Sequence, residues 1–327
     1  MITEIQPDIY RIEIPLPRNP LRTLNSYFIR GRGRSLIIDT GMRQEKCLVA
    51  MLRSLEKLNV TLDTTDFFIT HLHADHVGLL GDLATNTSRM YMSRVEAAIV
   101  SSVIEEPEKR GQQANEILFS HGFPAEELRK AMQDHPGYRF IPKRPIDFCG
   151  LKEGDSIEVG DYSFRCIETP GHSPCHMCLY EEKRKILVSG DHLLFDITPN
   201  ITFWLERENS LQEYLASLQK IYSLEVDLVL PGHRNVSCDH RTRIKELQNH
   251  HQSRLNEVVA ALGEGEKTAW EVAPFITWDL GSRSWSRFPP AQKWFALGET
   301  IAHLDYLEQE GKISKAMVNG RVVYSLG

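Results

Sequence analysis

Polar and apolar residues alternate along "DIYRIEIPL", and "LNSYFIRG" and "RSLIIDTG" follow with Gly-rich breaks between them, which predicts a run of short antiparallel strands. The next segment, "QEKCLVAMLRSLEKL", places Leu48, Met51, Leu52 and Leu55 at helical spacing. "TDFFITHLHADHVG" then reads as a buried strand running into a loop. From about residue 93 to 136 the pattern turns helical, in "VEAAIVSSVI", "QANEILFSHG" and "AEELRKAMQDH", with Gly122 and Pro124 separating two of the pieces. Strands resume in "DSIEVGDYSFRCIETPG", "HMCLYEE", "KILVSGD" and "VDLVLPGH", the last preceded by the helix "LQEYLASLQKIYSL". Beyond about residue 240 a long helix carries Ile244, Leu247, Leu255 and Val258 on one stripe. "TAWEVAPFI" and "AQKWFALGETIAHLDYLEQEG" follow, and then a hairpin around Asn319-Gly320, a pair suited to a type I′ turn. Helices followed by a two-stranded wing predict a winged-helix unit over residues 241–327, behind a unit over 1–240 with a helical insertion at about 93–136.

Composition narrows the class only slightly. The chain has 327 residues, 41% hydrophobic and 25% charged, within the ordinary range of globular proteins. A net charge of −6 argues against a chain built around nucleic acid. No basic leader followed by an apolar stretch opens the chain, and no run approaches the length of a membrane span. The six cysteines are scattered, so reduced thiols in the cytoplasm are the expectation.

The stretch "THLHADHVG" changes the picture. Three histidines and an aspartate within six residues, directly after "FFI", are poor core material. Imidazole and carboxylate are ligands for Zn²⁺, Fe²⁺ and Mn²⁺. On an extended segment His71 and His73 point the same way, and Asp75 and His76 lie just beyond, so one loop can feed two adjacent ions. Three further candidates each follow an apolar strand and a glycine: His172 in "ETPGHS", Asp191 in "VSGDH" and His233 in "LPGHR". Strand ends are where α/β scaffolds mount their chemistry.

With "LIIDTG", "THLHADHVG", "TPGHS", "SGD" and "PGH" in this order, the chain resembles the metallo-β-lactamase superfamily over roughly residues 1–240. The resemblance implies an α/β fold, an αβ/βα sandwich with metals at one edge. It implies His71, His73 and His172 on a first ion, Asp75, His76 and His233 on a second, and Asp191 bridging both. Asp39 and Thr70 would stand behind the ligands and orient them, although Asp39 also suits a plain turn before Gly41. The winged-helix tail is similar to that of a branch holding a lactamase-like endoribonuclease and related thioesterases.

Two ions about 3.5–4 Å apart would ionise a bridging water, polarise the substrate and stabilise the oxyanion. The implied activity is a binuclear metal-dependent hydrolase, with zinc expected and iron or manganese also fitting. No Gly-x-Ser-x-Gly elbow supports a serine hydrolase. Asp75 would orient the hydroxide, and His192 is a candidate to touch the substrate or its oxyanion. Phe195, Thr198, Asn200 and Trp204 are candidates for the substrate mouth, by position in "LLFDITPNITFWLE". Cys175 and Cys178 read as small buried residues of a strand, facing opposite ways, and His176 as structural. His250 and His251, with His240 nearby, read as surface or interface residues.

Residues 241–327 hold 11 Lys and Arg against 10 Asp and Glu, a thin basic face for tracking phosphates. The tail is therefore expected to pack on the catalytic unit and shape its pocket, or to form a homodimer. A small ester or thioester is the favoured substrate. The alternative is a metal-dependent endoribonuclease, or a nucleic-acid-binding protein using the winged helix.

Overall fold

A computed structural model describes residues 1–278 and 284–327. Two sheets stack face to face. The first is seven-stranded in simple chain order: β1 (Ile2–Gln6), β2 (Ile9–Pro15), β3 (Thr23–Ile29), β4 (Ser35–Ile38), β5 (Thr65–Phe68), β6 (Met90–Ser93) and β7 (Phe148–Leu151). It is antiparallel through β4 and parallel from β4 to β7. The second contains β8 (Ser156–Val159), β9 (Tyr162–Glu168), β10 (Met177–Glu181), β11 (Ile186–Gly190) and β12 (Leu228–Pro231), in the order β12-β11-β10-β9-β8. Here β11 and β12 are parallel and the remaining pairs antiparallel.

Burial follows the residue pattern. In β8, "SIEV" alternates exposed and buried, as expected of a strand with one covered face. "TDFF" of β5 is buried throughout, because helices cover the outer face of the parallel half. Between the sheets lie Ile9, Tyr27, Ile38 and Phe68 from one side and Phe164, Leu179, Val188 and Leu230 from the other. Helix α1 (Glu45–Lys57) covers the first sheet with Cys47, Met51 and Leu55. The short helices α2 (Ala74–Val77) and α3 (Leu80–Leu83) follow β5.

The insertion forms α4 (Arg94–Glu105), α5 (Pro107–Ser120), α6 (Ala125–Asp134) and α7 (Pro136–Arg139). Helix α8 (Ser210–Tyr222) packs on the second sheet. Beyond it come α9 (His240–Leu262), α10 (Ala269–Val272), α11 (Pro290–Gln309) and the hairpin of β13 (Ile313–Val318) and β14 (Arg321–Leu326). Asn319 and Gly320 both have positive φ, 51° and 75°, as a type I′ turn requires. One apolar cluster joins Phe123 of the insertion, Tyr180 of the second sheet, Tyr214 of α8 and Leu297 of α11. The C-terminal helices are thus fused to the sandwich. From Lys293 to Leu304, α11 is buried almost without a break.

Several expectations need correction. The strands β1, β6 and β7 are not evident in the pattern, since the latter two are four residues long and none of the three alternates cleanly. Cys175 precedes β10 and does not share a strand with Cys178. His251 and His240 are buried, not at the surface. His251 meets Tyr214 edge to face at 5.4 Å between ring centroids and reaches His303 Nε2 from Nδ1 over 3.1 Å, so α11, distant in sequence, supplies its cover. His250 is half-buried against His251, with ring centroids 5.3 Å apart.

Candidate metal centre

Five chain segments converge at one edge of the sandwich, and each leaves the C-terminal end of a strand. Asp39 follows β4, His71 and His73 follow β5, His172 follows β9, Asp191 follows β11 and His233 follows β12. The two sheets are tied together here. Asn25 Nδ2 donates to the carbonyls of Pro231 and Arg234 at 3.0 and 2.9 Å, and the Tyr27 hydroxyl donates to Pro231 O at 2.8 Å.

His71 Nε2, His73 Nδ1 and His172 Nε2 form a triangle with sides of 2.9, 3.1 and 3.3 Å. Tetrahedral ligands at a Zn–N distance of about 2.0–2.1 Å stand about 3.3–3.4 Å apart, so the triangle is close to the size an ion requires. Beside it, Asp75, His76 and His233 bring ligand atoms together, and His71, His76 and Asp191 form a third such group. Asp191 Oδ2 lies 3.3 Å from His233 Nε2, 3.6 Å from His76 Nε2 and 3.8 Å from His172 Nε2, between the two histidine sets.

The tautomers are set from behind. His172 Nδ1 donates to Asn200 O at 2.8 Å, His233 Nδ1 to Thr23 O at 2.7 Å and His76 Nδ1 to Asp39 Oδ2 at 2.7 Å. In each neutral ring the proton is held on Nδ1, so the Nε2 lone pair faces the cluster. His71 Nδ1 meets Thr70 Oγ1 at 3.0 Å, and Thr70 in turn donates to Asp39, from Oγ1 and from its backbone amide, both at 2.9 Å. Asp39, with φ of 57°, therefore gathers three donors.

Four buried atoms, Asp75 Oδ2, His76 Nε2, Asp191 Oδ1 and His233 Nε2, have no hydrogen-bond partner. Buried polar atoms are rarely left so, and this donor set of imidazole and carboxylate suits divalent cations. The residues present fit a metal site.

Charge is unevenly divided. Burial, with the neighbouring histidines, holds His71 well below its ordinary value and His73 down at about 3, so both rings are neutral. Burial opposes charge on His76 and His233 too, but the surrounding Asp39, Asp191 and Asp75 outweigh it. Both are raised, His233 to about 10. Asp75 is held at about 2 by His76 and His233 despite burial. Without cations, the acid-rich half keeps protons; metal binding there must displace them.

Two glycines admit this crowding. A Cβ on Gly232 would stand 2.4 Å from Asp191 Oδ1 and 2.9 Å from His76 Cε1. Gly190, at φ of 49°, would place one 2.5 Å from His176 Nε2. That His176 nitrogen accepts the Asp191 amide at 3.2 Å while Nδ1 meets Thr169 Oγ1 at 2.8 Å, so His176 supports Asp191 from behind.

A cavity of about 850 Å³ opens onto the cluster and is lined by His73, Asp75, His172 and Asp191. Its walls come from the insertion and the residue just after it (Ile99, Val103, Phe140) and from the C-terminal part of the chain (Trp278, Trp294, Phe295). Thr198, Asn200 and Trp204 line it, and the Trp204 ring lies 5.9 Å from that of His73. Phe195 does not line it; it packs on the apolar cluster of the helical half. Nor does His192, which is fully buried, with its ring 5.4 Å from Tyr214 and 6.1 Å from His176. Cys175 is likewise buried outside the cavity, its thiol pushed up to about 12 by burial.

Two buried carboxylates behind the site escape sequence reasoning. Glu96, near the start of α4, accepts from the Leu72 and Cys175 amides at 2.6 and 2.9 Å and from Ser173 Oγ. Glu299 of α11 accepts from Asn200 Nδ2 at 2.6 Å and from Arg254 of α9. Each sits in a helix where a glutamate ordinarily faces water, and only the fold turns it inward.

Comparison with known proteins agrees with this geometry. Residues 20–233 match the metallo-beta-lactamase superfamily, and residues 255–325 match the metallo-beta-lactamase-like C-terminal domain. The chain is 25% identical to the probable metallo-hydrolase YqjP of Bacillus subtilis, over 97% of each chain. It is 25% identical to the atrochrysone carboxyl ACP thioesterase of Aspergillus fumigatus (78% of this chain, 68% of that one). It is 28% identical to the acyl-coenzyme A thioesterase MBLAC2 of Gallus gallus (65% and 73%). Among solved structures, the metallo-beta-lactamase family protein TTHA1429 of Thermus thermophilus superposes with a TM-score of 0.84 at 29% identity, covering 99% of this chain and 100% of that one. The family match spans most of both sheets and every segment of the cluster, and the chain belongs to the metallo-beta-lactamase superfamily of metal-dependent hydrolases.

Proposed function

We propose that this protein is a binuclear metal hydrolase of small thioesters or esters. The carrying observation is the cavity: a mostly apolar, partly open space with aromatic walls that ends on the histidine and aspartate cluster. An acyl group fits its walls, and the scissile carbonyl would reach the cluster. Thioesterases among the relatives support the same substrate class.

In this reading His71, His73 and His172 would hold one ion and Asp75, His76 and His233 the other, with Asp191 placed to serve both. Zinc suits these ligands, as do iron and manganese. When bound, the ions supply an ionised water at neutral pH and polarise the substrate carbonyl. Asp75 lines the cavity beside the cluster, and its carboxylate would orient the attacking water and pass its proton on. Asp39 and Thr70 hold His76 and His71 in line. Thr198, Asn200 and Trp204 shape the mouth. The apolar walls exclude water from the acyl side, and Arg110 of α5 pairs with Glu206 beside Trp204, fastening the insertion to the loop over the cavity.

Residues 1–240 carry the chemistry, and 241–327 act as a winged-helix-like unit that closes the cavity. Helix α11, which would enter a nucleic-acid groove in such a unit, is buried here against α6, α9 and α10, so RNA cleavage is the weaker reading. All six cysteines are unpaired, which suits a reducing compartment such as the cytoplasm. Among the described residues no helix is long and apolar enough to cross a membrane.

The test is thiol release from acyl thioesters beside cleavage of single-stranded RNA, each with and without chelator. Chelator-sensitive thiol release with no RNA cleavage is expected; metal-dependent RNA cleavage without thiol release overturns the proposal.

A further inference from the structure

We infer that Glu96 is the positioning residue of the three-histidine half of the metal centre, placed there by the helical insertion. The inference rests on the ligand assignment proposed above and adds to it the group that holds that half together. Glu96 is fully buried. One carboxylate oxygen accepts the Leu72 amide at 2.6 Å; the other accepts the Cys175 amide at 2.9 Å and the Ser173 hydroxyl. Leu72 stands between His71 and His73, and Ser173 follows His172. Every histidine of the triangle is therefore the chain neighbour of a group that Glu96 grips. The two loops leave different sheets, after β5 and after β9, and are about a hundred residues apart in sequence. A single carboxylate spans them and sets the distance between His172 and the His71–His73 pair.

The other half is held differently. His76 is anchored by Asp39 and His233 by a backbone carbonyl, with no contact to Glu96. Loss of Glu96 should therefore act on one ion and spare the other. The cost is chemical as well as steric. A glutamine at 96 offers one carbonyl oxygen and one NH₂, and two backbone amides on opposite sides demand acceptors. In either amide orientation one N–H faces another donor, and its loop moves away. Outer partners of metal ligands are typically worth 10–100-fold in metal affinity.

The experiment compares wild type, Glu96→Gln and Ser173→Ala. The metal-free proteins are titrated with Co²⁺ and Zn²⁺, following absorption and bound metal, with far-UV circular dichroism to verify folding. Wild type should bind two ions. Glu96→Gln should retain one ion at wild-type affinity and lose about 10–100-fold at the other. Ser173→Ala keeps both amide contacts and should show a smaller loss at the same ion. If Glu96→Gln binds both ions as wild type does, or weakens both equally, the inference is overturned. If Glu96→Gln does not fold, Ser173→Ala decides: weakening at one ion upholds the inference, and unchanged binding overturns it. A wild type that binds no metal would instead refute the ligand assignment and not the role of Glu96 alone.

Discussion

His76 and Asp39, thirty-seven positions apart in the chain, meet over 2.7 Å in a fully buried contact, imidazole Nδ1–H to carboxylate Oδ2. Asp39 also takes both donors of Thr70, so one carboxylate orients the His76 and His71 rings together. In Asp39→Asn a donor replaces one acceptor oxygen, and one of the three contacts must break. We expect metal affinity and turnover to fall about 10–100-fold, with little change in far-UV circular dichroism. Equilibrium dialysis against zinc and steady-state rates measure both.

Gly232 leaves no room for a side chain beside Asp191. Gly232→Ala must displace the Asp191 carboxylate or the His76 ring, because the added carbon would stand 2.4 and 2.9 Å from them. Turnover should drop at least as far as in Asp191→Asn or His73→Ala, beyond the roughly 10–100-fold cost of losing an outer partner. All three proteins should stay folded. Wild-type rates in His73→Ala or Asp191→Asn would refute the site.

Asp66 joins β5 to its neighbours. Arg34 approaches its carboxylate at 2.7 Å and the Arg89 amide at 2.9 Å, with the Arg89 guanidinium on the other oxygen. Burial alone would raise the Asp66 value, but the two arginines outweigh it and hold it below the ordinary one. The contribution to stability is therefore present above the unfolded value of about 3.9 and is lost as pH falls through the lower folded value. Asp66→Asn should cost about 2 kcal/mol at pH 7, and the gap from wild type should close below about pH 4. Urea unfolding across pH 3–7 measures it.

Val103, on α4, lines the cavity from the insertion side. Val103→Phe should shorten the acyl group the protein accepts. A methylene in an apolar pocket is worth about 1 kcal/mol or more, so kcat/KM for the longest accepted thioester should fall tenfold or more, with a two-carbon acyl group nearly unaffected. Equal losses across the acyl series would place the acyl group elsewhere.

Much of this molecule was legible before any fold was known. His71, His73, Asp75, His76, His172, Asp191 and His233 stand at the ends of apolar runs, and such runs are short-range features that announce strands by themselves. The turn at Asn319-Gly320 is equally local. Those signals depend only on neighbours in the chain, so the candidate residues of the cluster stood out in the sequence, and the α/β class followed from the family resemblance that their motifs carry.

What only the tertiary structure decided depends on residues far apart. His251 read as a surface or interface residue, and α11 buries it inside the chain. His192 looked like a contact to the substrate or its oxyanion and Phe195 like a mouth residue, but packing on Tyr214 and on the apolar helical cluster took them away from the cavity. Glu96 and Glu299 carry no local mark, since a glutamate in an amphipathic helix nearly always faces water. Their inward turn exists because loop amides at Leu72 and Cys175, and the side chain of Asn200, need acceptors once buried. Burial and hydrogen-bond demand are set by the whole packed chain, and no window of sequence contains them.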